Sequence, residues 1–199
     1  MVSFNERAHK FLTGLTALLI PLYPNVLPLA ITLLVLNWLI APRLIKQGFK
    51  NVLSPIPLTL VSFYLLYLLG MLYTINIKTG LETIETKFSF LILPFVFASY
   101  PQATRNNFNT YIRLFIYGCF ANALICLAWA TYCFIKPVYV DLYGVLYDLG
   151  ADYFYYTQLS VFFHPSYISM YCVFALFALL YLQNNKVIEL NLKANGIQW

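Results

Sequence analysis

The chain has 199 residues, 61% of them hydrophobic and 10% charged, with a formal net charge of +5 and a mean hydropathy of +0.73. A soluble domain needs a more polar surface than this, so a water-soluble globular fold is excluded and lipid is the natural solvent. The pI near 9.0 does not signal nucleic acid, because the basic residues fall in short clusters between apolar runs and not on one continuous face.

Arg7 and Lys10 precede an apolar run that has the look of a secretory signal. However, Pro21, Tyr23 and Pro24 follow it and no Ala-x-Ala-like site closes it, so the segment reads as a retained signal-anchor helix. A hydrocarbon core about 30 Å thick takes about 20 apolar residues per helix. Phe11 to Ala41 is too long for one crossing, and Pro21, Pro24 and Asn25 punctuate it. That predicts spans over 6–22 and 25–42 with a tight turn between them. The first gains length from the snorkelling stems of Arg7 and Lys10.

Arg43, Lys46 and Lys50 follow in a polar connector, and Pro55 and Pro57 open a third span over 57–73. Phe88 to Tyr100 is too short to cross alone, so a fourth span over 79–99 has to carry Glu82, Glu85 and Lys87 in its first turns. A fifth span covers 109–133, a long aromatic segment fills 134–164, a sixth span covers 165–182, and 184–199 is a short polar to mixed tail. The expected fold is an all-α polytopic membrane bundle of about six transmembrane helices, occupying 1–183.

The distribution of positive charge orients it. With a cytoplasmic N-terminus and six crossings, Arg7, Lys10, Arg43, Lys46, Lys50, Arg105, Arg113, Lys186 and Lys193 lie inside, against Lys78, Lys87 and Lys136 outside. Acids show the reverse bias: Glu6 and Glu189 are inside, whereas Glu82, Glu85, Asp141, Asp148 and Asp152 are outside. His164 falls on that slightly acidic outer side.

Cys119, Cys126 and Cys133 recur every seven residues, so on a helix they share one stripe, cannot pair with each other and read as small packing residues, as does Cys172. No CxxC or Cys/His cluster suggests a metal. Asn37 and Asn122, each inside a span, read as helix-to-helix hydrogen-bonding groups.

Three outer segments carry groups capable of chemistry. In 137–165, Tyr139, Tyr143 and Tyr147 are four apart and as a helix form one aromatic stripe. This is either an interfacial belt or a platform for sugar rings or a polyprenyl carrier. Asp148 and Asp152 lack a third ligand and make a weak cation signal. In the segment INIKTGLETIETKFSF, Glu82, Glu85 and Lys87 stand at the mouth of the fourth span. The carboxylates there suit the helix dipole, but charge at that depth also tends to face a bundle interior or an aqueous cavity. Lys87, with Lys78 nearby, is positioned to attract a diphosphate, and Glu85 to orient Lys87.

The third segment is VFFHPSYISMY, residues 161–171. Pro165 suits the first turn of a helix, which puts His164 near the N-cap with Ser166, Tyr167 and Ser169 behind it. An imidazole there can act as a general base toward a sugar hydroxyl. A cap that fixes the loop against Tyr167 or Asp152 is the competing role, and the spacing favours it.

The succession YLLYLLGMLYTINIKTGLETIETKFSFLILPFVFAS (64–98) followed by YYTQLSVFFHPSYISMY (155–171) resembles the N-terminal half of O-antigen ligase/polymerase-like membrane proteins, especially those of Bacteroidota. The resemblance runs over most of 8–183. It implies a GT-C-type glycosyltransferase of the bacterial inner membrane that takes a glycan from a polyprenyl-diphosphate carrier at the outer face and joins it to a glycolipid or glycan acceptor, without metal or nucleotide. Such proteins have more spans than six, hold the diphosphate with outward arginines and use a histidine in a later outer loop. None of the four arginines here is outward in the expected topology, and His164 precedes that later position, so its role is not carried over. Substrate binding therefore falls by chemistry and location to Glu85, Lys87, Lys78, Tyr143, Tyr147 and Tyr167, with an outer groove expected between Glu85/Lys87 and 137–165. The tail NNKVIELNLKANGIQW, with no seventh apolar run, suggests a chain that is inactive without a further half or a partner subunit. A non-enzymatic membrane module, such as a sensor or a transporter partner, is the alternative.

Overall fold

The computed structural model describes residues 4–135, 139–142, 145–148, 153–155 and 159–194. The fold is helical in class, and a short hairpin is the one departure from helix among the described elements. In chain order the helices are α1 (Phe4–Leu22), α2 (Leu27–Leu39), α3 (Pro42–Asn51), α4 (Pro55–Gly70), α5 (Ile77–Lys87), α6 (Ser89–Ala98), α7 (Pro101–Asn106), α8 (Phe108–Ile135) and α9 (Pro165–Ala194). The strands β1 (Tyr139–Leu142) and β2 (Val145–Asp148) lie between α8 and α9.

By length and apolarity, three helical stretches among the described residues are able to cross a membrane: Pro55–Tyr73, Phe108–Ile135 and Pro165–Asn184. A fourth arises if Leu27–Leu39 and Leu44–Asn51, which meet at 104°, form one broken span. The chain is thus a helical membrane protein with three to four such spans shown, fewer than the six expected from the sequence. The physical reasons differ at each place. In α1, Glu6, Arg7 and Lys10 crowd the first two turns of a 19-residue helix. The expected fourth span is two helices, α5 and α6, meeting at Phe88. There the hydroxyls of Thr83 and Thr86 bond the carbonyls of Thr79 and Thr83, each at 2.9 Å, a competition for backbone acceptors that weakens a helix. The expected polar connector after α2 is itself a helix, α3.

The chain divides into two compact units, Met1–Thr13 with Leu29–Phe108, and Gly14–Pro28 with Asn109–Trp199. The core of the first is Leu34 and Trp38 of α2 against Val96 of α6, with Leu12, Leu44, Ile45 and Ile92 packed around them. Polar ties close it: the Trp38 indole N–H donates to Ser99 Oγ at 2.7 Å. Asn51 Nδ2 donates to the Ala98 carbonyl at 3.0 Å and Asn37 Nδ2 to that of Asn5 at 3.1 Å.

In the second unit the seam of α1 and α8 is built from small residues. Gly14 faces Tyr111 and Leu114, and Gly118 faces Leu18 and Pro21. One turn on, Asn122 Nδ2 donates to the carbonyl of Pro21, one of the last carbonyls of α1 and so without a partner in its own helix. Asn37 and Asn122 are the helix-to-helix donors their positions suggested. Cys119, Cys126 and Cys133 are free and buried along one stripe of α8. Helices α8 and α9 run antiparallel, with Phe115 edge-on to Tyr171 and Phe174 and Cys119 Sγ donating to the Tyr171 carbonyl at 3.7 Å. Ala130, Cys133 and Tyr153 form a small second cluster with Leu159.

The hairpin corrects the expected tyrosine helix. β1 and β2 are antiparallel, with Tyr139 opposite Asp148, Val140 opposite Tyr147, Asp141 opposite Leu146 and Leu142 opposite Val145. Valines and tyrosines in short alternation suit a pleated pair, which wins over the four-residue spacing of the tyrosines.

Candidate functional site

The first unit holds a cleft of about 430 Å³ between α4 and α5, walled by Phe63, Tyr67, Met71 and Tyr73 on one side and Gly80 and Thr83 on the other. Its geometry follows from the chain around it. Ser54, in extended conformation, leads into Pro55 at the start of α4, where the missing N–H costs nothing. After Gly70 the backbone tightens into a 3₁₀ turn over Met71–Tyr73, and Thr74 Oγ1 donates to the Gly70 carbonyl at 2.9 Å. Asn76 then caps α5, its side-chain oxygen accepting from the Thr79 N–H at 3.3 Å. These steps fold α5 back beside α4 and leave the cleft between them. Gly80 keeps it narrow: a Cβ there would meet Met71 Sδ at 2.5 Å.

Lys87, one turn beyond the wall residues Thr83 and Ile84, holds its Nζ 5.9 Å from the centroid of the Tyr67 ring, a cation over an aromatic face. Its partner is therefore Tyr67, twenty residues earlier, and Glu85 makes no ion pair with it among the described residues. Two apart on a helix, Glu85 and Lys87 point in different directions. Lys78 and Glu85 are exposed on α5, and Lys87, in the last turn of that helix, complements the dipole end that the expected single long helix would have denied it.

His164 and Tyr167 belong to the second unit. The Ser166 N–H donates to His164 Nδ1 at 3.4 Å, Ser166 Oγ lies 3.1 Å from the same nitrogen, and the Tyr167 N–H donates to the His164 carbonyl at 2.9 Å. The imidazole thus caps the N-terminus of α9 ahead of Pro165 with Ser166 as a partner, and the expected partner Asp152 lies outside the described residues. Ser160 Oγ donates to the Phe163 carbonyl, tightening the approach. His164 and Tyr167 are both exposed. Nearby, a cavity of about 240 Å³ is lined by Asn122, Cys126, Leu127, Leu159, Ile168 and Ser169. Tyr143 and Asp152 lie outside the described residues, and Tyr147 is placed only by its pairing with Val140.

The chain matches no family model, no curated protein and no solved structure. Among the described residues no group of three or more His, Cys, Asp and Glu side chains is placed to hold a metal.

Sequence reading passed over one residue that the fold singles out. His9, flanked by Glu6, Arg7 and Lys10, looks like part of a solvated basic start, and the Lys10 ammonium does pair with Glu6 at 3.0 Å. The His9 ring, however, is fully buried, stacked on Tyr100 at 4.1 Å and edge-on to Phe97. Neither of its nitrogens has a hydrogen-bond partner among the described residues, nor do Tyr100 OH, Thr13 Oγ1 and Thr104 Oγ1. Burial, and after it the charge of Glu6, pushes the Tyr100 phenol above its ordinary pKa. The only sequence signal was helical spacing, which puts His9 on the same face as Thr13 and Thr16 and away from Arg7 and Lys10.

Proposed function

We propose that the chain is the membrane-embedded part of an O-antigen ligase-like glycosyltransferase of the bacterial inner membrane, and that the α4–α5 cleft receives the isoprenoid-diphosphate carrier of the glycan. The observation that carries this reading is the pairing of an aromatic cleft with a cation held over one of its wall residues, Lys87 over Tyr67. Phe63, Tyr67 and Met71 offer an apolar wall to an isoprenoid chain, and a lysine offers a phosphate oxygen a charge-assisted donor. The resemblance of 64–98 to that family covers the same residues. In this reading Lys87 binds and orients, Tyr67 holds the ammonium in place, and the acceptor is a glycolipid or a growing glycan.

The test is binding of a polyprenyl diphosphate to the purified full chain, with the parent polyprenol as the uncharged control. Lys87→Gln is expected to weaken diphosphate binding about tenfold, the loss of one hydrogen bond to a charged group, and to leave polyprenol binding unchanged. Equal affinity of wild type and variant for the diphosphate would remove Lys87 and the cleft from the reading.

A second reading, a non-enzymatic membrane module, is favoured by the capping role of His164, which occupies the ring nitrogen Nδ1 in structure and not in chemistry. Asparagine is a good N-cap and a poor base. If the imidazole is only a cap, His164→Asn keeps full function in cells where the intact gene supports glycan transfer, and His164→Ala loses about 1 kcal/mol of stability. Loss of transfer in both variants at normal protein levels would make the ring chemically active.

A further inference from the structure

Helix α3 stands apart from the cleft and presents two unlike faces. On one, Leu44 and Ile45 pack on the Leu34–Trp38–Val96 core. Gly48 is buried so closely against α6 that a Cβ would meet Ser99 Oγ at 2.5 Å and the Phe95 carbonyl oxygen at 2.7 Å. The Phe49 and Phe95 rings touch at 4.8 Å, and Asn51 Nδ2 bonds the Ala98 carbonyl. The other face carries Lys46, Gln47 and Lys50, all exposed. Beside these cations lie large apolar side chains that stay mostly exposed: Phe49 is 58% exposed, Leu53 72% and Ile56 79%.

The direction of α3 says what covers them. Its axis meets that of the apolar α2 at 104°, and four residues after it ends α4 begins a stretch able to cross the membrane. A helix nearly perpendicular to the apolar helix before it, and four residues ahead of a stretch able to cross, has the geometry of one lying along the bilayer surface, the alternative to its being the second half of a broken span. At that depth lysines meet lipid phosphates while Phe49, Leu53 and Ile56 reach the acyl boundary, the arrangement of interfacial amphipathic helices. We propose that α3 is a docking surface for anionic phospholipid, with Lys46 and Lys50 holding the headgroups and the exposed apolar residues seated among the chains. This inference does not depend on the glycan reading, since it involves neither the cleft nor Lys87.

The experiment measures binding of fluorescent phosphatidylglycerol and phosphatidylcholine to the purified full chain in a neutral detergent. Each lysine near an anionic surface contributes about fivefold in affinity, so Lys46→Gln with Lys50→Gln is expected to lower phosphatidylglycerol binding about thirtyfold. Phosphatidylcholine binding should not change, the single variants should fall between, and added salt should act as the double variant does. Both lysines are exposed, and far-UV circular dichroism identical to wild type confirms that the fold is intact in the variants. A double variant that still prefers phosphatidylglycerol overturns the proposal. Displacement of the lipid by millimolar inorganic phosphate overturns it as well, since the site would then bind a free anion. So does loss of self-association in Phe49→Ser with Leu53→Ser at unchanged lipid preference, because a second copy of the chain would then be the occupant.

Discussion

Replacing Trp38 with alanine is expected to lower the stability of the first unit by about 3–5 kcal/mol, the cost of emptying a core position filled by a large aromatic ring. Trp38 is buried together with Leu34 and Val96. Its indole N–H donates to Ser99 Oγ at 2.7 Å, and Ser99 Oγ in turn donates to the Phe95 carbonyl at 2.8 Å. One side chain therefore fills the core and ties α2 to the end of α6. Two further substitutions separate those roles. Trp38→Phe keeps most of the packing and removes the donor, while Ser99 keeps its bond to Phe95. Ser99→Ala leaves the indole N–H buried without an acceptor and is expected to cost about 1–3 kcal/mol. Thermal unfolding of the full chain in detergent should rank Trp38→Ala lowest, with Ser99→Ala and Trp38→Phe between it and wild type. A Trp38→Ala protein melting with the wild type would mean that this cluster does not hold the unit together.

What the sequence revealed is what one helix reveals about itself. Apolar length alone marked 57–73, 109–133 and 165–182, where helices of span length stand. Period marked the cysteine stripe of α8, and residue type marked Asn37 and Asn122 as bonds between helices. Local chemistry placed His164 at the start of α9 because Pro165 follows it. The features that escaped depend on a second element. Lys87 looked paired to Glu85 because they are neighbours in sequence, and only the fold of α5 back against α4 brings Tyr67 beneath it. His9 looked solvated until Tyr100, ninety-one residues later, stacked on it. Helix α3 was hidden by its own lysines: Leu44, Ile45 and Gly48 recur at helical spacing, but their number is too small to stand out beside Arg43, Lys46 and Lys50. Tyr139 and Tyr147 show the opposite failure, a helical period present in the letters and overruled by strand pairing.

Gly118→Val is expected to destabilise the second unit by about 3 kcal/mol or more, at the top of the range for overpacking a close contact. A Cβ at Gly118 would press on the Leu18 carbonyl oxygen and come within 2.8 Å of Pro21 Cγ. Backbone and a proline ring cannot rotate away, so the relief has to come from moving α8 off α1. That movement also pulls Asn122 Nδ2 from the Pro21 carbonyl, leaving a helix-end acceptor unpaired for about 1 kcal/mol more. Gly14 of α1, about one turn along the same seam, provides the control. Its Cβ would press on Leu114 Cδ1, at 2.9 Å, the tip of a side chain able to change rotamer, and meet the Tyr111 ring at an ordinary 3.9 Å, while alanine improves helix propensity by about 1 kcal/mol. Gly14→Ala should therefore melt within a few degrees of wild type, and Gly118→Val should melt far below it and become sensitive to protease between α1 and α2. Equal shifts in the two variants would show that the seam yields as a whole, and that the approach of Gly118 to the backbone of α1 is not what sets the spacing of the two helices.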